Sequence, residues 1–174
     1  RGPLLARQQH GDIALDLETD EQSSGWVRQE IASIAGHRWP SSYEQGDGRW
    51  TLTLGPDDGN ALGRQVLMHD DPFSSSYRLH DGRITEVTRT MGTTRFSIIT
   101  QQHLELPDGR LLPSAFTVGY WDLEGGRLTK TEAYTDDYVE VDGVWLPQSR
   151  RVVTMDDNGL TARQITFTGH QLLA

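Results

Sequence analysis

The sequence predicts a mainly β, α+β fold: a strongly curved antiparallel meander sheet, a half-barrel, with one main helix covering its concave face. Short runs rich in Thr, Val, Ile and aromatic residues follow one another along most of the chain, a pattern typical of strands. Asp-Gly and Asn-Gly pairs separate these runs, and connections this short join antiparallel neighbours. In one segment, apolar residues recur at the spacing of a helix.

The helix is predicted over residues 22–35. Val27, Ile31 and Ile34 recur at helical spacing and form one apolar stripe. Gly36 suits the left-handed position just beyond a helix end. The residues that can cap the helix start are Asp20, Ser23 and Ser24.

Strands are predicted along the rest of the chain. After the helix they cover residues 50–54, 64–69, 76–80, 83–91, 94–106, 114–123, 127–135, 146–155 and 160–172. Before the helix, PLLARQQ and DIALDLE flank His10-Gly11 and predict a further hairpin. So many strands do not stay flat in one sheet, so we expect the sheet to coil. Gly119, inside a strand, predicts a bend or bulge.

The strand faces suggest where a ligand binds. Side chains alternate across a strand, and several strands have one apolar face and one Thr-rich or charged face, as in a sheet with one solvated side. The strand pattern alone favours a fully packed core, because inward apolar faces are how any β-domain folds. The alternative is a partly open apolar concavity, which is a small-molecule site by default. The residues expected to line the concavity and bind an apolar or amphipathic ligand are Phe96, Ile98, Phe116, Val118, Tyr120 and Phe167.

The triplet His69-Asp70-Asp71 is the segment most similar to a metal or acid–base site. Adjacent strand residues point to opposite faces, so the three side chains meet only within a turn. A solvated turn beginning at Asp71-Pro72 is the favoured interpretation, and the triplet supplies the candidates for catalysis. The chain has no cysteine and no HExxH or phosphate-binding glycine motif, so neither a metal site nor a cofactor is predicted.

The stretch TDDYVEVDGVWLPQSRR, residues 135–151, holds a dense group of carboxylates. It predicts a hairpin with a tight turn at Asp142-Gly143. Asp136 and Asp137 are expected at a break before this hairpin, where acidic side chains accept hydrogen bonds from local backbone amides. Because side chains alternate, the carboxylates do not all converge, and the stretch is interpreted as structural.

Charge and hydropathy limit the partners. The formal net charge is −9 over 174 residues, which disfavours nucleic acid and anionic membrane surfaces. No segment approaches the roughly 20 apolar residues that span a bilayer. A homodimer through an exposed sheet edge is compatible with the pattern. The compartment is left open, with a soluble protein of the cytoplasm favoured. A length of 174 residues suits one domain, so we expect residues 1–174 to form a single domain. The chain does not begin with Met, and we expect that it lacks an N-terminal segment of the full-length protein.

Long ordered strings carry a family resemblance. GRWTLTLG, LGRQVLMHDDPFSSSYRLHDGRITEVTRTMGTTRFSI, LPSAFTVGYWDLEGGRLTKTEAYTDDYVEVDGVWLPQSRRVVT and ITFTGHQLL resemble a cyanobacterial family catalogued as domain of unknown function 3386. The resemblance covers nearly the whole chain from Trp26 onward. It implies no established activity and no catalytic residue.

A second resemblance concerns the C-terminal part of the chain. Tyr138, followed by Val-Asp-Gly-Val-Trp-Leu-Pro at 141–147 and a charged strand, is similar to the end of LolA-like lipoprotein-carrier domains. Those domains are curved antiparallel half-barrels covered by helices, and their apolar concavity holds acyl chains. The resemblance implies the same half-barrel here.

The favoured function is therefore non-enzymatic binding of an apolar or amphipathic ligand, such as a lipid or pigment, in the concavity of the sheet. The alternative is a protein-interaction or assembly module that uses a sheet edge and the acidic surface. A hydrolase or isomerase that uses His69, Asp70 or Asp71 is the least favoured interpretation.

Overall fold

The structure, a computed structural model, describes residues 4–10, 13–20, 22–38, 44 and 46–172. The chain divides into two compact units, residues 1–49 and 50–174. The first unit contains β1 (Leu4–His10), β2 (Ile13–Thr19), α1 (Ser24–Arg38) and a short 3-10 turn (Asp47–Arg49).

The predicted N-terminal hairpin is confirmed. β1 and β2 pair antiparallel without a register shift, from Leu4 opposite Thr19 to His10 opposite Ile13. The helix α1 contacts both strands. Val27 and Ile31 of the predicted apolar stripe are buried, as is the neighbouring Ala35, whereas Ile34 is half-buried.

The ends of α1 differ in part from the prediction. At the start, Asp20 Oδ1 accepts a hydrogen bond from the N–H of Ser23 at 2.7 Å, and this bond lowers the pKa of the Asp20 carboxyl. At the other end Gly36 lies inside the helix, so its predicted place beyond the helix end is wrong. The His37 Nδ1 lies 2.7 Å from the Ser33 carbonyl oxygen. This contact supports the last turn and offsets the modest cost of an internal glycine.

The second unit is one antiparallel sheet of nine strands, here the main sheet, in which every strand lies beside its neighbour in sequence. The strands are β3 (Thr51–Leu54), β4 (Arg64–His69), β5 (Ser76–His80), β6 (Arg83–Met91), β7 (Thr94–Glu105), β8 (Leu111–Asp122), β9 (Leu128–Val141), β10 (Val144–Asp156) and β11 (Gly159–Thr166). The mainly β antiparallel meander is therefore confirmed. β3 and β11 form the two ends, so the sheet is open. The half-barrel curvature and the helix on a concave face stay predictions.

The predicted break before the last hairpin is wrong. β9 runs without interruption through Asp136 and Asp137, which lie opposite Arg150 and Ser149. The irregularity lies on the partner strand instead, where the register shifts between Pro147 and Ser149. Such a bulge tolerates the missing N–H of proline within a strand.

The last strand is shorter than predicted. β11 ends at Thr166, and the N–H of Phe167 donates to the Gln148 carbonyl at 2.9 Å. Gly169 then adopts a positive φ of 65°, which turns the chain away from strand geometry.

Gly119 has a packing role that strand propensity does not reveal. A Cβ at this position would lie 2.5 Å from Trp121 Cη2, because the indole ring lies directly over the glycine. The register shift falls next to it, between Tyr120 and Trp121. The Arg95 guanidinium carbon lies 5.4 Å from the centre of the Trp121 ring. The glycine is therefore needed for close approach of the indole to the backbone.

Candidate functional site

The register of β7 and β8 places most of the predicted ligand-binding residues together. Phe96 lies opposite Tyr120 and Ile98 opposite Val118, and Phe116 lies opposite Thr100. Directly opposed residues of an antiparallel pair point to the same side of the sheet. We call this side of the main sheet the aromatic face. Val118 is buried, and the other four of these predicted residues are half-buried: Phe96, Ile98, Phe116 and Tyr120. Phe167 lies beyond the end of β11.

The aromatic face continues across β9 and β10 as a set of charged and aromatic side chains. Tyr134 lies opposite Phe116, and Lys130 lies opposite Tyr120. Asp136 lies opposite Arg150 on the next pair of strands. We call the following side chains the aromatic–ionic cluster: Phe116, Tyr120, Lys130, Glu132, Tyr134, Asp136 and Arg150.

Glu132 is the anion at one end of the cluster, and it is buried. Its Oε2 accepts hydrogen bonds from the hydroxyls of Tyr120 at 2.9 Å and Tyr134 at 3.1 Å. Its Oε1 accepts from Lys130 Nζ at 3.1 Å. The same ammonium group lies 4.1 Å from the centre of the Tyr120 ring. Glu132 thus joins two aromatic side chains and one cation on adjacent strands.

Arg150 is the cation at the other end. Its Nε and Nη2 donate to Asp136 Oδ1 and Oδ2 at 2.8 and 2.6 Å, the two-pronged geometry that makes arginine–carboxylate pairs strong. Its guanidinium carbon also lies 5.7 Å from the Phe116 ring and 5.2 Å from the Tyr134 ring. These two rings stack 4.6 Å apart and nearly parallel. Both members of the ion pair are buried.

Sequence reasoning missed this cluster because it expected the buried face of each strand to be the apolar one. On β9 the buried positions are Glu132, Tyr134 and Asp136, whereas Ala133 and Thr135 between them are exposed. A signal was present: residues 130–136 alternate at period two between charged or aromatic and small side chains. Because such an alternation is symmetric, it does not say which side is buried.

The charged side chains of the aromatic–ionic cluster are hydrogen-bonded in oppositely charged pairs. The Glu132 carboxylate accepts three hydrogen bonds, and a carboxylate offers about four acceptor positions. Little capacity is left on it for removing a proton from a substrate. The Asp136–Arg150 fork is similarly occupied on both carboxylate oxygens. This arrangement suits positioning of aromatic rings and recognition of polar groups better than acid–base catalysis.

The catalytic candidates His69, Asp70 and Asp71 have separate surroundings. His69 Nε2 lies 2.6 Å from Thr53 Oγ1 on the neighbouring strand. Asp70 is exposed, with a positive φ of 62° in the turn. Asp71 Oδ2 accepts a hydrogen bond from the N–H of Ser75 at 2.7 Å. Among the described residues, no group of three His, Asp or Glu side chains is arranged to hold a metal ion.

Asp71 has a lowered pKa. Burial acts to raise it, but hydrogen bonds from the Ser75 hydroxyl and from the N–H groups of Ser75 and Phe73 outweigh burial. The ionised carboxylate therefore stabilises the turn before β5.

We expect alanine at Asp71 to lower the free energy of unfolding at pH 7 by about 1 kcal/mol, because hydrogen bonds to the turn are lost. The folded-state pKa is lowered from 3.8, so the ionised form's contribution is present above 3.8 and is lost as the pH falls through the folded-state pKa. Urea unfolding of both proteins between pH 7 and pH 2.5 measures this difference. A gap between the two proteins that stays constant over this range would contradict the assignment.

Both end strands of the main sheet, β3 and β11, are largely exposed to solvent. All four residues of β3 are exposed, and Leu52 and Leu54 are exposed to 40% and 54%. In the part of the chain that the structure describes, β3 pairs with β4 alone. The predicted homodimer through a sheet edge stays a prediction. Over the described residues no helix has the length and apolar character needed to cross a bilayer.

Comparison with known protein families gives a match over nearly the whole chain. A family model described as "Protein of unknown function (DUF3386)" matches residues 8–173. The chain belongs to this family. No curated protein matches it, and no solved structure does. The family match covers both the N-terminal unit and the main sheet, so the aromatic–ionic cluster lies inside the family's own domain. The family description assigns no activity.

Proposed function

We propose that this domain binds an amphipathic small molecule, a lipid or a pigment, on the aromatic face of the main sheet. The observation that carries the proposal is the continuity of this face. Half-buried apolar side chains on β7 and β8 adjoin buried charged side chains on β9 and β10. Small-molecule sites in proteins combine an apolar lining with a few convergent polar groups.

The proposal takes the sheet to be curved like that of the LolA-like carriers, with the aromatic face on its concave side. Register shifts support curvature, since bulges bend a strand and increase its twist. They occur between β5 and β6, β7 and β8, β8 and β9, and β9 and β10. Phe167 joins the lining in this proposal, because it follows Ile165, which lies opposite Arg150.

The cluster gives the site its polar end. Tyr120 contacts the apolar residue Phe96, with ring centres 6.1 Å apart, and also donates to Glu132. One side chain therefore joins the apolar part of the face to the ionic part. A ligand with an apolar body and a polar group would meet both kinds of surface on this face, which favours an amphipathic ligand over a purely apolar one.

A binding experiment tests the proposal. The protein purified from cells is analysed by native mass spectrometry and by organic extraction, and Nile red fluorescence then measures uptake by the stripped protein. We expect Phe96→Ala to weaken Nile red binding about tenfold, because burying a large apolar side chain contributes roughly 1.5–3 kcal/mol.

Leu160→Ala is the matched control. Leu160 lies opposite Met155 on the other side of the main sheet and is 65% exposed, so its replacement should leave dye binding unchanged. A protein that carries no lipid or pigment from cells and takes up no Nile red would refute the proposed function.

A further inference from the structure

Arg89 differs from Lys130 and Arg150, the cations of the aromatic–ionic cluster, in its hydrogen bonding. It lies on β6 directly opposite Phe96, so its side chain belongs to this face. Its Nη2 donates to the Tyr77 hydroxyl at 3.2 Å. Its Nε is buried and has no hydrogen-bond partner among the described residues. A buried donor on a charged group without an acceptor is uncommon and unfavourable in proteins, so it calls for an explanation.

The charges around Arg89 do not supply that acceptor. The carboxylates of the aromatic–ionic cluster, Glu132 and Asp136, already form ion pairs with Lys130 and Arg150. Within the described part of the chain, no ion pair includes Arg89. The charge of Arg89 helps to lower the pKa of Asp71, but the Asp71 carboxylate accepts its hydrogen bond from Ser75. Arg89 is therefore a cation at the edge of an apolar surface, with a buried donor that no described residue accepts from.

We propose that Arg89 binds the carboxylate headgroup of an acyl-chain ligand whose apolar part lies along Phe96, Ile98 and Tyr120. The inference rests on the proposed function and names the ligand class. A guanidinium group matches a carboxylate in shape and charge and supplies Nε–H as a donor. Binding of the anion gives the buried Nε its missing acceptor.

The dimensions of the sheet agree with this ligand. Neighbouring strands lie about 4.8 Å apart, so the path from β6 to β8 is about 10 Å long. Along it the register gives Arg89, Phe96 and Tyr120 in a row across three strands. An acyl chain of medium length that runs across the strands from Arg89 would therefore cover both aromatic rings.

Isothermal titration calorimetry with decanoate and decan-1-ol tests the inference, because the two probes differ in the carboxylate. We expect the wild-type protein to bind decanoate more tightly than decan-1-ol. Arg89→Gln should weaken decanoate binding about 10- to 100-fold, as expected for loss of a hydrogen bond to a charged group. It should leave decan-1-ol binding unchanged, and Arg89→Lys, which keeps the charge without Nε, should give an intermediate loss.

Arg151→Gln is the charge-matched control. Arg151 is exposed and follows Arg150, so it lies on the other side of the sheet, and its replacement should change neither affinity. Circular dichroism checks the fold of each variant, and Arg89→Lys carries the test if Arg89→Gln does not fold. Wild-type protein that binds both probes equally, or an Arg89 variant that retains full decanoate affinity, would overturn this inference alone. Binding of neither probe would overturn it together with the proposed function.

Discussion

Replacing Asp136 with alanine is expected to lower the free energy of unfolding by about 3–5 kcal/mol, the usual cost of removing one partner of a buried ion pair. Asp136 and Arg150 are both buried and share two hydrogen bonds of 2.8 and 2.6 Å. In the variant, the Arg150 guanidinium would stay beside the Phe116 and Tyr134 rings without its carboxylate. Equilibrium unfolding in urea measures the loss.

The adjacent residue supplies the control. Asp137 lies on the other side of β9, is exposed, and accepts a hydrogen bond from Ser149 Oγ at 2.7 Å. Asp137→Ala changes the net charge equally but should cost at most about 1 kcal/mol, as surface replacements do. In addition, Asp136→Ala with Arg150→Met should recover much of the loss, because no buried charge is left unpaired. Equal costs for the two single aspartate variants would show that the buried pair is not what stabilises β9.

Replacing Gly63 with alanine is expected to lower the free energy of unfolding by about 2–5 kcal/mol, the sum of backbone strain and overpacking. Gly63 has a φ of 92°, which side-chain-bearing residues rarely adopt. A Cβ there would lie 2.0 Å from the Leu79 carbonyl oxygen. This neighbour is backbone of β5, so it cannot rotate away as a side chain would. The Gly63 carbonyl also accepts a hydrogen bond from Arg78 Nη1 at 2.8 Å, so a shift of the loop would disturb Arg78 as well.

Gly59→Ala separates the two contributions to this effect. Gly59 lies in the same loop with a φ of 65°, and a Cβ there would have no other atom within 4 Å. Its replacement should cost only the strain of the left-handed backbone, about 1–2 kcal/mol. Urea unfolding of both variants gives the difference. Similar losses for Gly63→Ala and Gly59→Ala would contradict the expected collision with β5.

The meander could be predicted because its signals are local. Pairs such as Asp81-Gly82 and Asp142-Gly143 adopt positive φ values in the structure, as the turns between neighbouring strands require. Each turn connects strands that pair directly, so the order of the main sheet follows from the order of the chain. The apolar alternation in β7 and β8 likewise placed Phe96, Ile98, Phe116, Val118 and Tyr120 on one face, because strand periodicity is a property of a few consecutive residues.

The candidate site could be predicted only in part. Its apolar half was found from alternation, whereas Lys130, Glu132, Asp136 and Arg150 were not. Asp136 was expected at a break because two adjacent aspartates suit a turn. In the structure the bidentate pairing with Arg150 holds Asp136 within β9, and the register shift is at Gln148 on the partner strand. Such a shift depends on contacts between strands, which no single strand's sequence contains.

The sequence by itself determined the class of the fold, the order of its strands, the N-terminal hairpin and the helix, because turn chemistry and periodicity act over a few residues. The tertiary structure decided which side of β9 is buried, that Asp136 meets Arg150, and that none of the described residues accepts a hydrogen bond from the Arg89 Nε. The physical reason is register. A slip of one residue between two strands moves every side chain to the other side of the sheet, and that choice is made by the packing of neighbouring strands.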